Sequence, residues 1–210
     1  MEDIKQITRS NGRSYSVRSN RDRFFYPDEW GKFYDQIKGK QKFTFTFLIN
    51  TGSRINEARN VKVEDIDLIR QRLILRVTKI KARKGEKNPR PRTIPMSKQF
   101  TKYLKKHIRD NNLKNEDYLG VVSTPVAHNA IKRATKAAGI KDWYMFSTHN
   151  VRKTLETWLM AIGIDGMKIV AHFGHSMQVA ASNYISADTM TWEEKEMIRD
   201  IIGDLYRERY

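Results

Sequence analysis

Thr148-His149-Asn150-Val151-Arg152-Lys153-Thr154, with Trp158 and Leu159 beyond it, is the stretch on which the reading of this chain turns. A helix over about 149–162 puts His149 and Arg152, three residues apart, on one face. Trp158 and Leu159 then fall on its apolar face and read as core. Downstream come His172-Phe173-Gly174-His175-Ser176 and Asn183-Tyr184-Ile185, with nine residues from His175 to Tyr184. Two histidines, an arginine and a tyrosine at these spacings make a candidate site for attack on a phosphodiester. Taken singly, each of them more often serves structure.

Outward from this stretch the chain reads as mainly α with a small antiparallel β-sheet, an α+β arrangement. Pro27-Asp28-Glu29-Trp30 has the proline and acids of a first helical turn, predicting a helix to about Ile37. Phe43 to Thr51 is apolar and rich in Phe and Thr, and reads equally as strand or buried helix. Gly52 breaks it, and Ile55-Asn56-Glu57-Ala58 starts a short helix with Ser53 as its cap. Leu73 to Ile80 alternates apolar and polar groups and pairs with Arg92-Thr93-Ile94-Pro95 as a long-tipped hairpin. Further helices are expected at about 97–110, 124–138, 165–173, 176–185 and 191–207, with Gly139, Gly163 and Gly174 at helix ends.

Charge narrows the partner. Lys and Arg number 40 against 24 Asp and Glu, a formal net charge of +16 over 210 residues. Such an excess favours a polyanion, because each phosphate neutralised releases condensed counterions. There is no signal-like N-terminus or long apolar segment, which argues against a membrane partner. The absence of cysteine excludes disulfides and thiolate metal sites, and five histidines are few for zinc. A zinc site is therefore not expected.

The charge is concentrated. Lys79, Lys81, Arg83, Lys84, Lys87, Arg90 and Arg92 fill half of a 14-residue window opposed only by Glu86. Gly85 and Pro89 make its tip a loop, suited to entering a groove or lying along phosphates. Residues 1 to about 23 carry Arg9, Arg13, Arg18, Arg21 and Arg23 with no apolar period. They read as a loosely ordered arm, either a terminal tail or a strap along a DNA backbone.

A phosphodiester is attacked most readily when fixed positive charge clamps its non-bridging oxygens, and arginine suits this because it is permanently charged and forked. Arg54, just after the Gly52 break, and Arg152 are the two candidates, with Glu57 one turn beyond Arg54 to pair with or orient it.

The order Arg, Lys, His-x-x-Arg, Gly-His, Tyr resembles the tyrosine recombinases, the phage-integrase family of site-specific recombinases. The resemblance rests on Thr51-Gly52-Ser53-Arg54-Ile55-Asn56-Glu57-Ala58 and on the three motif stretches above, supported by Val63-Glu64-Asp65-Ile66-Asp67 and Thr93-Ile94-Pro95. It covers about residues 27–190 and implies that family's catalytic-domain fold. It implies a site-specific recombinase or integrase, a DNA strand transferase working through a 3′-phosphotyrosyl intermediate without metal or ATP. Tyr184 would be the nucleophile. Arg54 and Arg152 would hold the phosphate, and His149 and His175 would hydrogen-bond it and assist proton transfer. Lys79 would be the general acid, with Lys81 and Lys84 as rivals on the long hairpin. Lys81, Arg83, Lys84, Lys87, Arg90 and Arg92 would contact DNA.

The same resemblance divides the chain into a basic linker or arm (1–26), a catalytic domain (27–190) and a C-terminal helix (191–210) packing on its own or a neighbouring subunit. A complete N-terminal core-binding domain is not expected within the 26 residues ahead of the catalytic domain. The resemblance implies double-stranded DNA as partner with no metal, cofactor or small-molecule substrate, self-association on DNA as dimer or tetramer, and a cytoplasmic, nucleoid-associated location. Absent cysteine, abundant Lys and Arg and the long hairpin are in keeping with an archaeal virus- or plasmid-type integrase. The alternatives are type IB topoisomerase-like relaxation by the same chemistry, and a non-enzymatic basic DNA-binding protein. Target site, cis or trans cleavage, and integration, excision or dimer resolution stay open.

Overall fold

The computed structural model describes residues 5–8, 12, 14–17, 23–76, 91–174 and 190–207. Two short strands, β1 (Lys5–Thr8) and β2 (Ser14–Val17), pair antiparallel at the N-terminus. The arm expected to lack regular structure thus holds a small hairpin, closed by a hydrogen bond between the Thr8 and Ser14 hydroxyls.

Arg23 to Tyr26, assigned from sequence to the arm, belong to the core. Phe24, Phe25 and Tyr26 are fully buried, and Arg23 is buried between Glu29 (Nη2 to Oε1, 2.6 Å) and Asp142 (Nε to Oδ2, 2.7 Å). Helix α1 (Pro27–Asp35) follows, entered as expected with Pro27 first and Asp28 and Glu29 in the opening turn. The Glu29 carboxylate accepts the Tyr26 N–H at 3.0 Å, which satisfies one of the orphan donors of the helix start.

Helix α2 (Gly39–Thr51) resolves the ambiguity at 43–51 in favour of helix. Phe43, Phe45, Phe47, Leu48 and Ile49 are all buried, so it is apolar around its circumference. Its threonines resemble a strand composition, but Thr44 and Thr51 return their hydroxyls to the carbonyls of Lys40 and Phe47. That internal bond is how a β-branched polar residue is accommodated within a helix.

Helix α3 (Ile55–Arg59) and the turn Val63–Asp65 lead to a three-stranded antiparallel sheet, β3 (Ile66–Asp67), β4 (Arg72–Leu75) and β5 (Arg92–Pro95). The register sets Leu73 against Ile94 and Leu75 against Arg92, and Leu73, Leu75 and Ile94 point into the core. The sequence alternation foresaw β4 and β5 but not the short β3.

The rest is helical: α4 (Lys98–Asp110), α5 (Thr124–Ala137), α6 (Thr148–Ala161), α7 (Gly166–Phe173) and α8 (Trp192–Ile202). None of the described helices is long and apolar enough to cross a membrane. Helix α6 is the axis, with Val151, Leu155, Trp158 and Leu159 fully buried. Three of its side chains at helical spacing hold the 23–26 segment: Asn150 donates to the Arg23 carbonyl, Thr154 accepts the Phe25 N–H, and Trp158 donates to the Phe25 carbonyl. Helix α8 begins with Thr191 and Glu194 capping each other and buries Ile198 and Ile202 against α1 and α6. It ends at Ile202 rather than about 207, because Gly203 (φ 65°) turns the chain. The expected helix at 176–185 lies outside the described residues.

Candidate phosphate-binding site

Two helix C-termini converge on Arg152. Helix α2 ends at Thr51 with Gly52 left-handed (φ 56°), and α7 ends at Phe173 with Gly174 left-handed (φ 65°). Terminal turns leave carbonyls without intrahelical partners and carry the negative end of the helix dipole. Arg152 on α6 answers both: Nη1 donates to the Gly52 carbonyl at 2.7 Å, and Nη2 donates to the Phe173 carbonyl. Its guanidinium also lies over the Phe173 ring, 4.9 Å from the centroid. The approach is so close that a Cβ on Gly52 would meet Phe173 Cε1 at 2.4 Å.

Arg54 stands two residues beyond Gly52 and opens α3. The cap is not Ser53. Arg54 is the N-cap residue, and Glu57 Oε2 accepts its backbone N–H at 2.9 Å. The same carboxylate takes Arg54 Nη1 on Oε1 at 2.8 Å and Arg92 Nη2 on Oε2 at 2.7 Å. Glu57 is fully buried. Burial alone would raise its pKa, but the Arg92 charge and the hydrogen bonds from Arg54 and Arg92 outweigh that and hold it below the usual carboxylate value.

Three guanidinium groups therefore gather around one buried carboxylate. Burial, then the like charges of Arg92 and Arg54, depress Arg152 to about 9, each effect exceeding the pull of Glu57 or Glu156. Arg152 remains charged at neutral pH, in a place that an anion would relieve. Two of its five N–H donors are spent on carbonyls, and the Arg54 side chain is 30% exposed. The cluster is thus rigid on its inner side and open at Arg54.

His149 is exposed in the first turn of α6, one turn before Arg152, as the spacing implied. Lys79, Lys81, Arg83, Lys84, Lys87, Arg90, His175 and Tyr184 lie outside the described residues. Arg92, grouped from sequence with the hairpin's DNA contacts, is turned inward. Its side chain is 10% exposed, paired with Glu57, and set 3.6 Å from where a Gly174 Cβ would stand. Sequence reasoning also passed over His172, which is buried on α7 and hydrogen-bonded to the Thr51 carbonyl at 3.0 Å. Its place in the run Ile169, His172, Phe173, at the spacing of one buried helix face, was the signal available.

Residues 23–190 match the phage integrase family. The tyrosine recombinase XerA of Pyrococcus horikoshii is 23% identical over 177 residues, which are 78% of this chain and 58% of that protein. A probable integrase/recombinase of Acholeplasma phage L2 is 28% identical over 182 residues, 78% of this chain and 57% of that one. Among solved structures, the Tn1549 transposon integrase in complex with transposon right-end DNA superposes with a TM-score of 0.60 at 17% identity, over 85% of this chain and 65% of that one. The chain spans somewhat over half the length of these curated relatives.

Proposed function

The chain belongs to the phage integrase family, and from that premise we propose that it carries the catalytic site of a site-specific tyrosine recombinase acting on double-stranded DNA. One observation carries the proposal: Arg152 is buried and held by two helix-end carbonyls, and the like charges of Arg92 and Arg54 add to burial in depressing it, which is the electrostatic setting for a bound phosphate. Arg152 is preorganised by the Gly52 and Phe173 carbonyls, so little reorganisation accompanies charge development on the phosphoryl oxygens.

In the reaction, the Tyr184 phenolic oxygen attacks phosphorus and passes its proton to a neighbouring histidine, His149 or His175, while the bond from phosphorus to the 5′-oxygen breaks. The 5′-oxygen receives a proton from Lys79 and leaves as a hydroxyl, and the DNA 3′-phosphate stays on Tyr184. A phenol with an ordinary pKa of about 10 is a weak nucleophile, and the arginine cluster favours its anionic form. Arg54 and Arg152 hold the non-bridging oxygens, and His149 and His175 hydrogen-bond them and assist proton transfer. Religation reverses these steps on a partner strand. ATP is not needed, because the phosphotyrosyl bond conserves the energy of the one it replaces, and the arginines supply the fixed positive charge that a metal would otherwise bring. Lys81, Arg83, Lys84, Lys87 and Arg90 lie along DNA phosphates, while Arg92 anchors the base of that hairpin. The active form is a dimer or tetramer assembled on DNA, and the protein resides with the DNA. The Tn1549 integrase, similar in fold, is solved on its transposon-end DNA.

The test is a pool of nicked duplexes with randomised cores, incubated with the full chain in EDTA and extracted for covalent protein–DNA adduct. Adduct is expected with the wild-type protein and none with Tyr184→Phe. No adduct from any duplex in the pool would overturn the reading. Recovered sequences placed twice on one plasmid then separate recombination from supercoil relaxation.

A further inference from the structure

His172 is a buried titratable group that the reaction above does not use. It sits on α7 with its ring 2% exposed, and both nitrogens are engaged. Nε2 lies 3.0 Å from the Thr51 carbonyl oxygen and Nδ1 lies 2.8 Å from the Tyr206 hydroxyl. A carbonyl oxygen only accepts, so Nε2 carries the hydrogen. A neutral imidazole then offers Nδ1 as acceptor, and the Tyr206 O–H is the donor. Burial, then the Arg92 and Arg152 charges, push His172 to about 3 against the bond to Thr51, which keeps the ring neutral. Burial raises the Tyr206 phenol, which keeps its proton on.

The two ends of this chain of bonds differ in kind. Thr51 is the last residue of α2, and the carbonyl after it, that of Gly52, receives Arg152 Nη1. Arg54 follows two residues later. Tyr206 belongs to the turn after α8, more than 30 residues from His172 and outside every motif stretch. It holds a left-handed backbone (φ 60°), a strained conformation for a bulky side chain. The turn is tied by Arg199 to the Leu205 carbonyl (3.0 Å), and Leu205 is buried. Strain of this kind persists only where the surrounding structure imposes it, and here it aims the hydroxyl at His172.

We infer that Tyr206 is a positioning residue for the phosphate-binding cluster: its hydroxyl, donating to Nδ1, locks the His172 ring in the orientation whose Nε2–H holds the Thr51 carbonyl, and so the Gly52–Arg54 turn and Arg152. The other tautomer would set a nitrogen lone pair against the Thr51 oxygen, and the turn would shift. The catalytic consequence rests on the recombinase reading; the tautomer does not.

Tyr206→Phe removes only the hydroxyl. In nitrogen-15 histidine spectra of the full chain, one ring is expected as the Nε2–H form with an accepting Nδ1, assigned by its absence from His172→Gln. In Tyr206→Phe the Nε2–H form persists, held by Thr51, but Nδ1 shifts to the position of an unbonded ring nitrogen and the Nε2–H proton exchanges faster as the ring loosens. On a nicked duplex that gives adduct, single-turnover cleavage at saturating DNA falls roughly tenfold, since small displacements of a clamp cost that much or more, while DNA affinity stays within about twofold. His172→Gln, whose amide can donate to Thr51, retains more cleavage than His172→Leu at equal DNA affinity, a ranking a purely structural role would not give. The inference is overturned if Tyr206→Phe leaves the Nδ1 shift and the Nε2–H exchange unchanged, or if cleavage falls only in step with DNA binding. The spectra decide the tautomer even where the wild type forms no adduct, an outcome that would sink the recombinase reading instead.

Discussion

Replacing Glu57 with glutamine tests the arginine cluster most directly. The substitution keeps volume and one acceptor oxygen but removes the charge that Arg54 and Arg92 share. Breaking a buried ion pair from one side costs about 3–5 kcal/mol. Here the Arg92 pairing (2.7 Å, both side chains at or below 10% exposure) keeps nearly all of that weight. The Arg54 pairing is open on one side (30% exposed) and is screened by water. A loss of about 2–4 kcal/mol is expected for Glu57→Gln. Urea unfolding would show it as a lower midpoint at constant slope. Because the folded-state pKa of Glu57 lies below its unfolded value, its contribution is complete above about pH 4.3 and fades as pH falls through the lower, folded value. The variant should lack that acid-side loss. A change below about 1 kcal/mol, within the range of an ordinary surface pair, would refute the claim that Glu57 holds the cluster together.

Gly52→Ala should destabilise the protein by about 2–4 kcal/mol, since it forces a left-handed alanine and drives a Cβ to 2.4 Å from Phe173; a shift under about 0.5 kcal/mol in the same unfolding assay would count against the tight α2–α7 approach. Arg152→Lys keeps the charge but cannot bridge the Gly52 and Phe173 carbonyls as a fork, so adduct formation should fall by about 100-fold or more with DNA affinity little changed. An equally active lysine variant would contradict the preorganised role. Neutralising Lys81, Lys84 and Lys87 together should weaken binding across all sequences and flatten the salt dependence by roughly one unit for each phosphate no longer neutralised, which a titration at several salt concentrations would read. Arg92→Gln should instead cost stability and leave that slope nearly unchanged, and a flattened slope would return Arg92 to the DNA surface.

The features legible in the sequence were those set by neighbours along the chain. The glycines at 139, 163 and 174 end helices with positive φ because only the local backbone has to be satisfied. His149 and Arg152 share a helix because their spacing requires it, and the alternation of Leu73 and Leu75 places β4 against the core. Membership of the family was legible too, from motif order alone. What the sequence could not assign were groups whose meaning depends on a partner far along the chain. Arg23 is a buried ion because Asp142 lies across from it, 119 residues away. Arg92 pairs with Glu57 over 35 residues, and His172 caps the Thr51 carbonyl across 121. A charged or titratable side chain is stable inside only when its partner is delivered to it. Residue type and local period therefore determine helices, turns and the list of reactive groups, whereas tertiary packing alone decides which of those groups become the fixed frame of the site.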